Sequence, residues 1–346
     1  MDSKIDINSL IEGCHNDEIP KCISEPYDYL EGIPSNNNNI RATFLNAFND
    51  LYYQIEDHKL LDKIGEIISI FHNSSLLIDD IEDDSSFRRG LPTAHTLYGT
   101  PLTINCGNLM YFIALQKAQN ELPMYYNKIH DGDVDVKSLT YQISQILVDE
   151  MLNLHHGQGL DIYWRDSGDY IQNHLPEIDE YLKMVMNKTG GLFRLSVKLL
   201  EVFSPTFKST SVIPLANLLG IIYQIRDDYL NLVDPNYSHM KGYTGEDLIE
   251  GKLSLPILHC LRTGSVNSPI YRILYELKDS EERKANPQLI EDCIDFMKNK
   301  SKSLEFTRNL IHDYHENAKL MIINNSTLSN PEDSMLCKVI DRLCNV

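Results

Sequence analysis

The chain has 346 residues and carries 50 acidic against 31 basic residues, which gives a formal net charge of -19 at pH 7. This charge argues against nucleic acid as a partner, because no basic stripe is present that would neutralise phosphates. Hydrophobic residues make up 42% of the sequence, which is enough to build the core of one large or two ordinary domains.

An acidic segment ends the first strong helical pattern. Apolar residues keep helical spacing from Leu61 to Ile78 and predict a helix with one buried face. Its C-terminal end carries Asp79, Asp80 and Asp83. Asp79 and Asp83 share one helical face, and Asp80 turns partly toward it. Such carboxylates are typical ligands of Mg²⁺, which is usually bound through one or two carboxylates together with the phosphates of a substrate.

Two arginines follow this segment within one loop. The planar guanidinium groups of Arg88 and Arg89 are suited to clamping phosphate oxygens that a metal ion leaves free. The carboxylates and the arginines together predict a site that handles a diphosphate. A single acidic helix end would more often be solvated surface in so acidic a chain, so the prediction depends on a second feature of the same kind.

The second feature lies near the middle of the chain. Polar residues recur there at steps of three and four, opposite an apolar helical face. They are Gln224, Asp227, Asp228 and Asn231. Two such helices that face each other across a cavity would present carboxylates from both walls. The pair therefore favours a metal-binding site over two solvated surfaces.

The chain between and beyond these motifs is also helical in pattern. Short interruptions contain Pro or Gly, but no Pro/Gly-rich linker divides the chain and no fixed internal period repeats. The sequence therefore predicts an all-α fold, in which residues 1–346 form a single domain whose helices surround a central cavity. The clearest helical stretches are residues 139–160, 178–203, 212–232 and 303–321.

The chain resembles the trans-isoprenyl diphosphate synthases, all-helical enzymes that join isoprene units head to tail. The segments that carry the resemblance, in order, are residues 79–83, 157–161, 188–191, 227–231, 241–242 and 250–254. Specific motifs cover residues 26–256, and the rest of the chain is similar only as a helical pattern. Within the family, the geranylgeranyl diphosphate synthases of fungi and animals are most similar. The resemblance implies the isoprenoid-synthase type of helical bundle around a substrate cavity.

The resemblance also implies a reaction. Isopentenyl diphosphate would condense with an allylic diphosphate (farnesyl, geranyl or dimethylallyl) to give geranylgeranyl diphosphate and free diphosphate. Three Mg²⁺ ions are expected in the site, held by Asp79, Asp83 and Asp227, since a bound metal neutralises the charge of the leaving diphosphate. Asp80 and Asp228 are expected to orient the water ligands of the metal.

The allylic diphosphate is expected to lie among cations and dipoles. By resemblance, the residues that bind it are Arg88, Lys188, Thr189, Gln224, Asn231, Lys241 and Lys252. Lys188, Thr189 and Gln224 are also predicted to be catalytic. The oxygens of Thr189 and Gln224, preorganised toward positive charge, would stabilise the allylic cation. Asp161 is expected to pair with one of the cations, and the sequence does not choose which.

The second substrate needs a diphosphate pocket without metal. The resemblance assigns isopentenyl diphosphate to Asn38, Arg41, His72 and Arg89. Asn38 stands where the family has a lysine, and a neutral amide does not replace an ammonium group. We therefore predict weaker binding of isopentenyl diphosphate than in relatives with that lysine. Taken alone, His72 would more often be a satisfied or surface histidine than a ligand-binding one.

Product length is expected to depend on the residues below the first acidic motif. Ser75 lies one helical turn before that motif and Ser74 adjoins it, where short-chain relatives carry aromatic rings that close the cavity. Two serines therefore predict a deeper pocket and a product longer than farnesyl diphosphate. By resemblance, Tyr111, Phe112 and His155 form the deeper floor, although ordinary core aromatics would look the same in sequence.

Three other interpretations remain open at this point. A farnesyl diphosphate synthase would stop at a shorter product. A class I terpene cyclase would use a magnesium-binding acidic helix without needing a second diphosphate pocket. A non-catalytic subunit of another synthase would be expected to lack the metal ligands, which this chain keeps.

The resemblance further implies a homodimer or a higher homo-oligomer. No apolar run is long enough to span a bilayer, and the first residues lack the apolar region of a signal peptide. A cytoplasmic location without a membrane span is therefore expected. The seven cysteines form no Cys-x-x-Cys pair and suit reduced thiols, in agreement with that location.

Overall fold

The computed structural model describes residues 20–34, 40–205, 212–235, 243–264, 267–277, 279–326 and 330–346. These residues are almost entirely helical, so the predicted all-α fold is confirmed. Within these ranges, every helix is too short or too polar to traverse a lipid bilayer. The cytoplasmic location stays a prediction. Two predicted site residues, Asn38 and Lys241, lie outside the described residues.

In the first half of the chain, the helices are α1 (Lys21–Gly32), α2 (Ile40–Phe48), α3 (His58–Glu82), α4 (Ala94–Tyr98), α5 (Thr100–Ile129), α6 (Val136–Asp166) and α7 (Gly168–Ile171). A π-helical turn, Asn49–Tyr53, continues α2. Asp57 caps α3 by accepting a hydrogen bond from the backbone N–H of Leu60 at 2.9 Å. Asp135 caps α6 in the same way, and such caps satisfy amides that the first helical turn leaves open.

In the second half, the helices are α8 (Ile178–Lys188), α9 (Gly190–Phe203), α10 (Ile213–Val233), α11 (Glu246–Glu250), α12 (Leu255–Thr263), α13 (Pro269–Tyr275), α14 (Ser280–Lys284), α15 (Pro287–Asn299), α16 (Ser303–Asn325) and α17 (Met335–Cys344). A 3₁₀ turn, Pro331–Asp333, precedes α17. The helices predicted at residues 212–232 and 303–321 are confirmed as α10 and α16. The one predicted at 139–160 is confirmed as α6, which extends further at both ends.

One predicted helix is wrong, because the stretch 178–203 is not continuous. The helix is interrupted at Thr189, between α8 and α9. The backbone of Gly190 at the start of α9 lies so close to α10 that a Cβ atom at Gly220 would be 2.4 Å from Gly190 Cα. The interruption thus allows the backbones of α9 and α10 to come into contact. It also places the Thr189 hydroxyl next to α10, where it donates a hydrogen bond to Gln224.

A short antiparallel hairpin follows α3, and the sequence did not predict it. Its strands are β1 (Phe87–Arg88) and β2 (Leu91–Pro92). The two-residue loop has positive φ at both positions, 55° at Arg89 and 79° at Gly90, as a type I′ turn requires. The hairpin fixes two arginines directly beyond the acidic end of α3.

Two apolar clusters form the core, and α10 belongs to both. Leu219 and Ile222 pack in the first cluster, to which α3, α5 and α9 contribute. Ile225 and Leu232 pack in the second cluster, together with side chains of α8, α12, α13 and α15. Because one helix joins the two clusters, the packing supports a single domain, which stays a prediction for the whole chain.

The two acidic motifs approach the same point from two helices. Lys188, the last residue of α8, has its Nζ 3.8 Å from Asp79 Oδ1 on α3. Thr189, the next residue, donates a hydrogen bond to Gln224 on α10 at 2.7 Å. The break between α8 and α9 therefore lies between the motifs and contacts both.

Candidate active site

Arg88 binds two of the carboxylates at the end of α3. Its Nε donates to Asp80 Oδ1 at 2.8 Å, and its Nη2 donates to Asp79 Oδ2 at 3.3 Å. Asp80 is only 1% exposed, whereas Asp79 is half-buried. Asp80 therefore anchors the guanidinium, and the arginine is held beside the carboxylates as a phosphate-binding role requires.

Two side chains of α6 also bind this acidic segment. Gln158 Nε2 donates to Glu82 Oε2 at 2.7 Å and to Asp79 Oδ1 at 3.3 Å. Arg165 Nη1 donates to Asp83 Oδ1 at 2.7 Å, and its Nη2 donates to the backbone oxygen of Glu82 at 2.7 Å. Sequence reasoning missed Arg165. The available signal was its position two helical turns after Gln158, on the same face of α6.

The carboxylates at the end of α3 are crowded. Burial, followed by the charge of Asp79, raises the pKa of Asp83 to about 6, although Lys188 and Lys252 act in the opposite direction. A divalent cation would relieve the repulsion between these oxygens, and Mg²⁺ takes carboxylate oxygens as ligands. The donor atoms present here therefore fit Mg²⁺.

Lys188 reaches these carboxylates because a glycine lets its backbone approach α6. A Cβ atom at Gly157 would lie 2.4 Å from the backbone nitrogen of Lys188, so a larger residue would force the helices apart. Lys188 Nζ donates to Asp161 Oδ2 at 2.6 Å. Burial opposes the charged form of Lys188, but the charges of Asp161 and Asp79 raise its pKa above the usual value. Asp161 is thus the partner of Lys188, which the sequence had left open.

On α10, Asp228 orients Gln224 and Thr189. Asp228 is 1% exposed, and its Oδ2 accepts hydrogen bonds from the backbone N–H of Leu255, at 2.9 Å, and from the Tyr181 hydroxyl. Its Oδ1 accepts from Gln224 Nε2 at 2.9 Å. Gln224 Oε1 in turn accepts from Thr189 Oγ1 at 2.7 Å. Both oxygens of Asp228 are therefore bonded within the protein, and they hold the two predicted carbocation-stabilising side chains together.

The other two residues of the α10 motif differ in burial. Asp227 is half-buried, as is Gln224, whereas Asn231 is only 7% exposed. Asn231 Oδ1 accepts a hydrogen bond from the backbone N–H of Asp247 at 3.2 Å. Asn231 therefore stabilises the start of α11, and its binding of the allylic diphosphate stays a prediction.

Lys252 lies in the same buried region, next to an acid that sequence reasoning missed. Its Nζ is 3.7 Å from Asp247 Oδ1. Burial raises the pKa of Asp247 to about 6, against the charge of Lys252. The charges of Asp247 and Asp161 raise the pKa of Lys252 despite its burial. Lys252 is therefore held as a cation close to the partner of Lys188.

A separate group of positive charges surrounds His72. Burial, followed by the charges of Arg41, Arg88 and Arg89, holds the pKa of His72 well below its usual range. Burial and the charge of Arg89 also lower the pKa of Arg41. Arg41 Nε is buried without a hydrogen-bond partner in the described part of the chain. Two arginines beside a histidine that burial and their charges keep neutral, here called the cation cluster (Arg41, His72 and Arg89), are typical of a site for an anion.

Tyr111 on α5 lies below the first acidic motif. Its ring centroid is 6.1 Å from that of Phe71 and 6.1 Å from that of His155. Burial, followed by the charges of Glu82 and Asp79, raises the pKa of its hydroxyl. The structure thus brings Tyr111 and His155 together near the carboxylates, with His155 exposed, and their role as a cavity floor stays a prediction.

Ser74 and Ser75 make hydrogen bonds to their own helix. Ser74 is fully buried and donates to the backbone oxygen of Ile70 at 2.6 Å. Ser75 is half-buried and donates to the backbone oxygen of His72 at 2.8 Å. Because these hydroxyls are satisfied locally, the predicted deeper pocket depends on the small size of the two serines, and it stays a prediction.

Phe112 differs from Tyr111 in burial. It is 68% exposed, because consecutive residues on a helix point about 100° apart and Tyr111 takes the inward direction. The place of Phe112 in the cavity floor stays a prediction. The long helices α5 and α6 expose further large apolar side chains, and together with Phe112 we call them the α5–α6 patch. Its members are Ile104, Phe112, Tyr141, Val148 and Leu152.

Comparison with known proteins gives a consistent result. Residues 20–297 match the family model described as polyprenyl synthetase. A geranylgeranyl pyrophosphate synthase of Macrophomina phaseolina, dpmpD, is 45% identical over 262 residues, which is 76% of this chain and 72% of the relative. For dpasD of Apiospora sacchari, of the same description, identity is 43% over 269 residues, 78% of this chain and 72% of the relative. A geranylgeranyl pyrophosphate synthase of Eremothecium gossypii is 37% identical over 325 residues, 93% of this chain and 92% of the relative.

Proposed function

This chain belongs to the polyprenyl synthetase family, and from that premise we propose that it condenses isopentenyl diphosphate with an allylic diphosphate to form geranylgeranyl diphosphate. The observation that carries the proposal is the cation cluster. It lies beside the carboxylates and supplies a place for a second diphosphate that needs no metal. A class I terpene cyclase would need only the carboxylate site. The identity of the product follows the names of the relatives.

Mg²⁺ is proposed as the cofactor, with three ions in each site. Asp79, Asp83 and Asp227 would hold them, and the burial of Asp83 beside the charge of Asp79, which raises the pKa of Asp83, supports this. When bound, Mg²⁺ neutralises the charge that develops on the departing diphosphate.

The chain's own side chains bind and orient the substrates. Arg88, Lys188 and Lys252 bind oxygens of the allylic diphosphate, and by resemblance Lys241 joins them. The bond between the allylic carbon and the diphosphate oxygen breaks, and the double bond of isopentenyl diphosphate attacks that carbon to form a carbon–carbon bond. A proton then passes from the isopentenyl unit to the released diphosphate.

Thr189 is placed to stabilise the positive charge of the allylic carbon. Its hydroxyl proton is directed at Gln224 Oε1, so the lone pairs of its oxygen point elsewhere. Oxygens that are already oriented toward developing positive charge need no reorganisation during the reaction. Asp228 holds Gln224 from the other side and thereby fixes this direction.

The test is to incubate the purified protein with isopentenyl diphosphate, Mg²⁺ and each allylic primer in turn, and to identify the products by mass spectrometry. A twenty-carbon diphosphate from farnesyl diphosphate is the expected result. Use of shorter primers with farnesyl diphosphate left unextended would make the protein a farnesyl diphosphate synthase. A cyclic hydrocarbon formed without consumption of isopentenyl diphosphate would make it a terpene cyclase.

Tyr111→Ala is expected to lengthen the product, because removing the ring opens the floor between Phe71 and His155. A measurable share of products beyond twenty carbons should appear in the mass-spectrometric assay. Tyr125→Ala is a matched control, since it removes a tyrosine of the same helix whose hydroxyl binds Asp57 instead. An unchanged product distribution in Tyr111→Ala would remove this residue from the floor.

A homodimer or higher homo-oligomer is proposed, with the α5–α6 patch in its interface. Three members of the patch, Phe112, Tyr141 and Leu152, are 68%, 66% and 53% exposed on two neighbouring helices, and exposed apolar surface of this kind marks interaction sites. Leu152→Asp is therefore expected to lower the mass measured by light scattering to that of one chain. Leu320→Asp is the control, because Leu320 is 55% exposed on another helix, α16. An unchanged mass in the first variant would exclude the patch.

A further inference from the structure

Two histidines and a glutamate share one face of α16. His312, His315 and Glu316 stand at positions i, i+3 and i+4, which are neighbours on a helical surface. One ligand atom from each side chain lies within 4.8 Å of the other two. From this geometry we propose that the three residues bind a divalent transition-metal ion of the zinc type, at a site separate from the prenyl-transfer site.

His315 is oriented by a carboxylate on the neighbouring helix α17. Its Nε2 lies 2.7 Å from Asp341 Oδ1, and its Nδ1 lies 3.3 Å from Glu316 Oε1. When Nε2–H donates to Asp341, the lone pair of Nδ1 is left for a metal ion on the side where Glu316 lies. Metal-binding histidines almost always donate their second ring N–H to a carboxylate or another acceptor. Asp341 is therefore a positioning residue for the site.

The positive charge of the nearby Lys319 does not disfavour a metal ion at this site. Lys319 Nζ lies 3.3 Å from Asp341 Oδ1, so the same carboxylate balances its charge. The side chain of His315 is 15% exposed, whereas that of Glu316 is 58% exposed. The oriented ligand is thus partly buried, and Glu316 remains accessible to an ion from solution.

The ligand types select the class of metal. Imidazole nitrogens suit Zn²⁺ and other late transition metals, whereas Mg²⁺ prefers oxygen ligands. Zn–N bonds are about 2.0 Å long, so tetrahedral ligand atoms lie about 3.4 Å apart. The exposed side chains of His312 and Glu316 would move inward by about 1 Å, while His315 stays on Asp341. Water would complete a four-coordinate site with three protein ligands.

The test is a calorimetric titration of the full chain with Zn²⁺, in excess Mg²⁺ that occupies the carboxylates of the transfer site. His312→Ala and His315→Ala are each expected to abolish one zinc-binding event. His130→Ala should leave it unchanged, because this exposed histidine lies at the end of α5 and contacts Tyr126 instead. Asp341→Asn should weaken binding by about 10- to 100-fold, the usual effect of losing such a carboxylate.

Retention of the wild-type isotherm in both His312→Ala and His315→Ala would overturn the proposal. Prenyl transfer by the variants, expected at the wild-type rate, shows that they are folded. X-ray absorption at the zinc edge of the wild-type protein gives a readout that does not depend on variants. Scattering from two imidazole rings is expected, and its absence would also overturn the proposal.

Discussion

Asp79→Asn is expected to lower kcat for prenyl transfer by about 10³-fold, the upper end of the loss seen when one preorganised electrostatic group is removed. The carboxylate lies 3.3 Å from Arg88 Nη2, 3.3 Å from Gln158 Nε2 and 3.8 Å from Lys188 Nζ. The amide keeps the shape of the side chain but removes a metal ligand charge and the counter-charge of two cations. Steady-state kinetics with both substrates measures the effect.

The KM for isopentenyl diphosphate is expected to change little in this variant, because the site proposed for that substrate, the cation cluster, needs no metal. Asp84→Asn is the matched control. Asp84 is exposed, and its Oδ2 accepts a hydrogen bond from Ser280 at 3.2 Å, so the same change of charge should alter kcat by no more than about twofold. An Asp79→Asn enzyme with a kcat within about tenfold of wild type would contradict the assignment of this carboxylate.

Glu150→Ala is expected to lower the free energy of unfolding by about 3–5 kcal/mol, because it leaves a buried guanidinium without its counter-charge. Glu150 and Arg194 are 4% and 5% exposed. Arg194 Nε donates to Glu150 Oε2 at 2.8 Å, and Lys198 Nζ donates to Glu150 Oε1 at 2.6 Å. Thermal unfolding followed by circular dichroism should show a Tm lower by roughly 10 °C.

Lys198→Ala tests whether the loss of stability depends on the burial of the ion pair or only on its charge. The side chain of Lys198 is 27% exposed, so it makes the same kind of ion pair with access to water. Its loss should cost no more than about 1 kcal/mol. Equal destabilisation by Glu150→Ala and Lys198→Ala would show that the buried pair with Arg194 is not the dominant contact.

Helical periodicity predicted the parts of the fold that depend on local sequence. The apolar stripe that leads to Asp79 and the one that leads to Asp227 are properties of single helices, and both occur as predicted in α3 and α10. The site residues on these two helices were therefore accessible from spacing alone. The sequence predicted that Asp161 pairs with a cation but did not choose which one, because the choice depends on how α6 meets α8.

Features that depend on contacts between distant segments were missed. The break at Thr189 follows from the approach of α10, which periodicity within 178–203 cannot reveal. Arg165 gains its role from meeting Asp83 on another helix. The hairpin that carries Arg88 has strands of only two residues, which are too short for an alternating pattern to be recognised.

Two residues assigned by their place in a motif have surroundings that the motif did not predict. The amide oxygen of Asn231 accepts a hydrogen bond from the backbone of Asp247, sixteen residues further along the chain. Phe112 was assigned together with Tyr111, although adjacent residues on a helix point in different directions. A motif predicts which residues lie near a site, whereas the direction of each side chain depends on helix packing.

The close backbone contacts at Gly157 and Gly220 limit the substrates that this fold can accept. At both positions backbone meets backbone, with no side chain between them that could change rotamer. The diphosphate end of the site therefore has a fixed geometry. The backbone there cannot shift to accept a head group of different size. Substrates and products of different chain length must therefore be accommodated at the hydrocarbon end, where side chains that can be substituted are proposed to set the depth of the cavity. Product length can thus diverge between relatives while the chemistry at the head group stays the same.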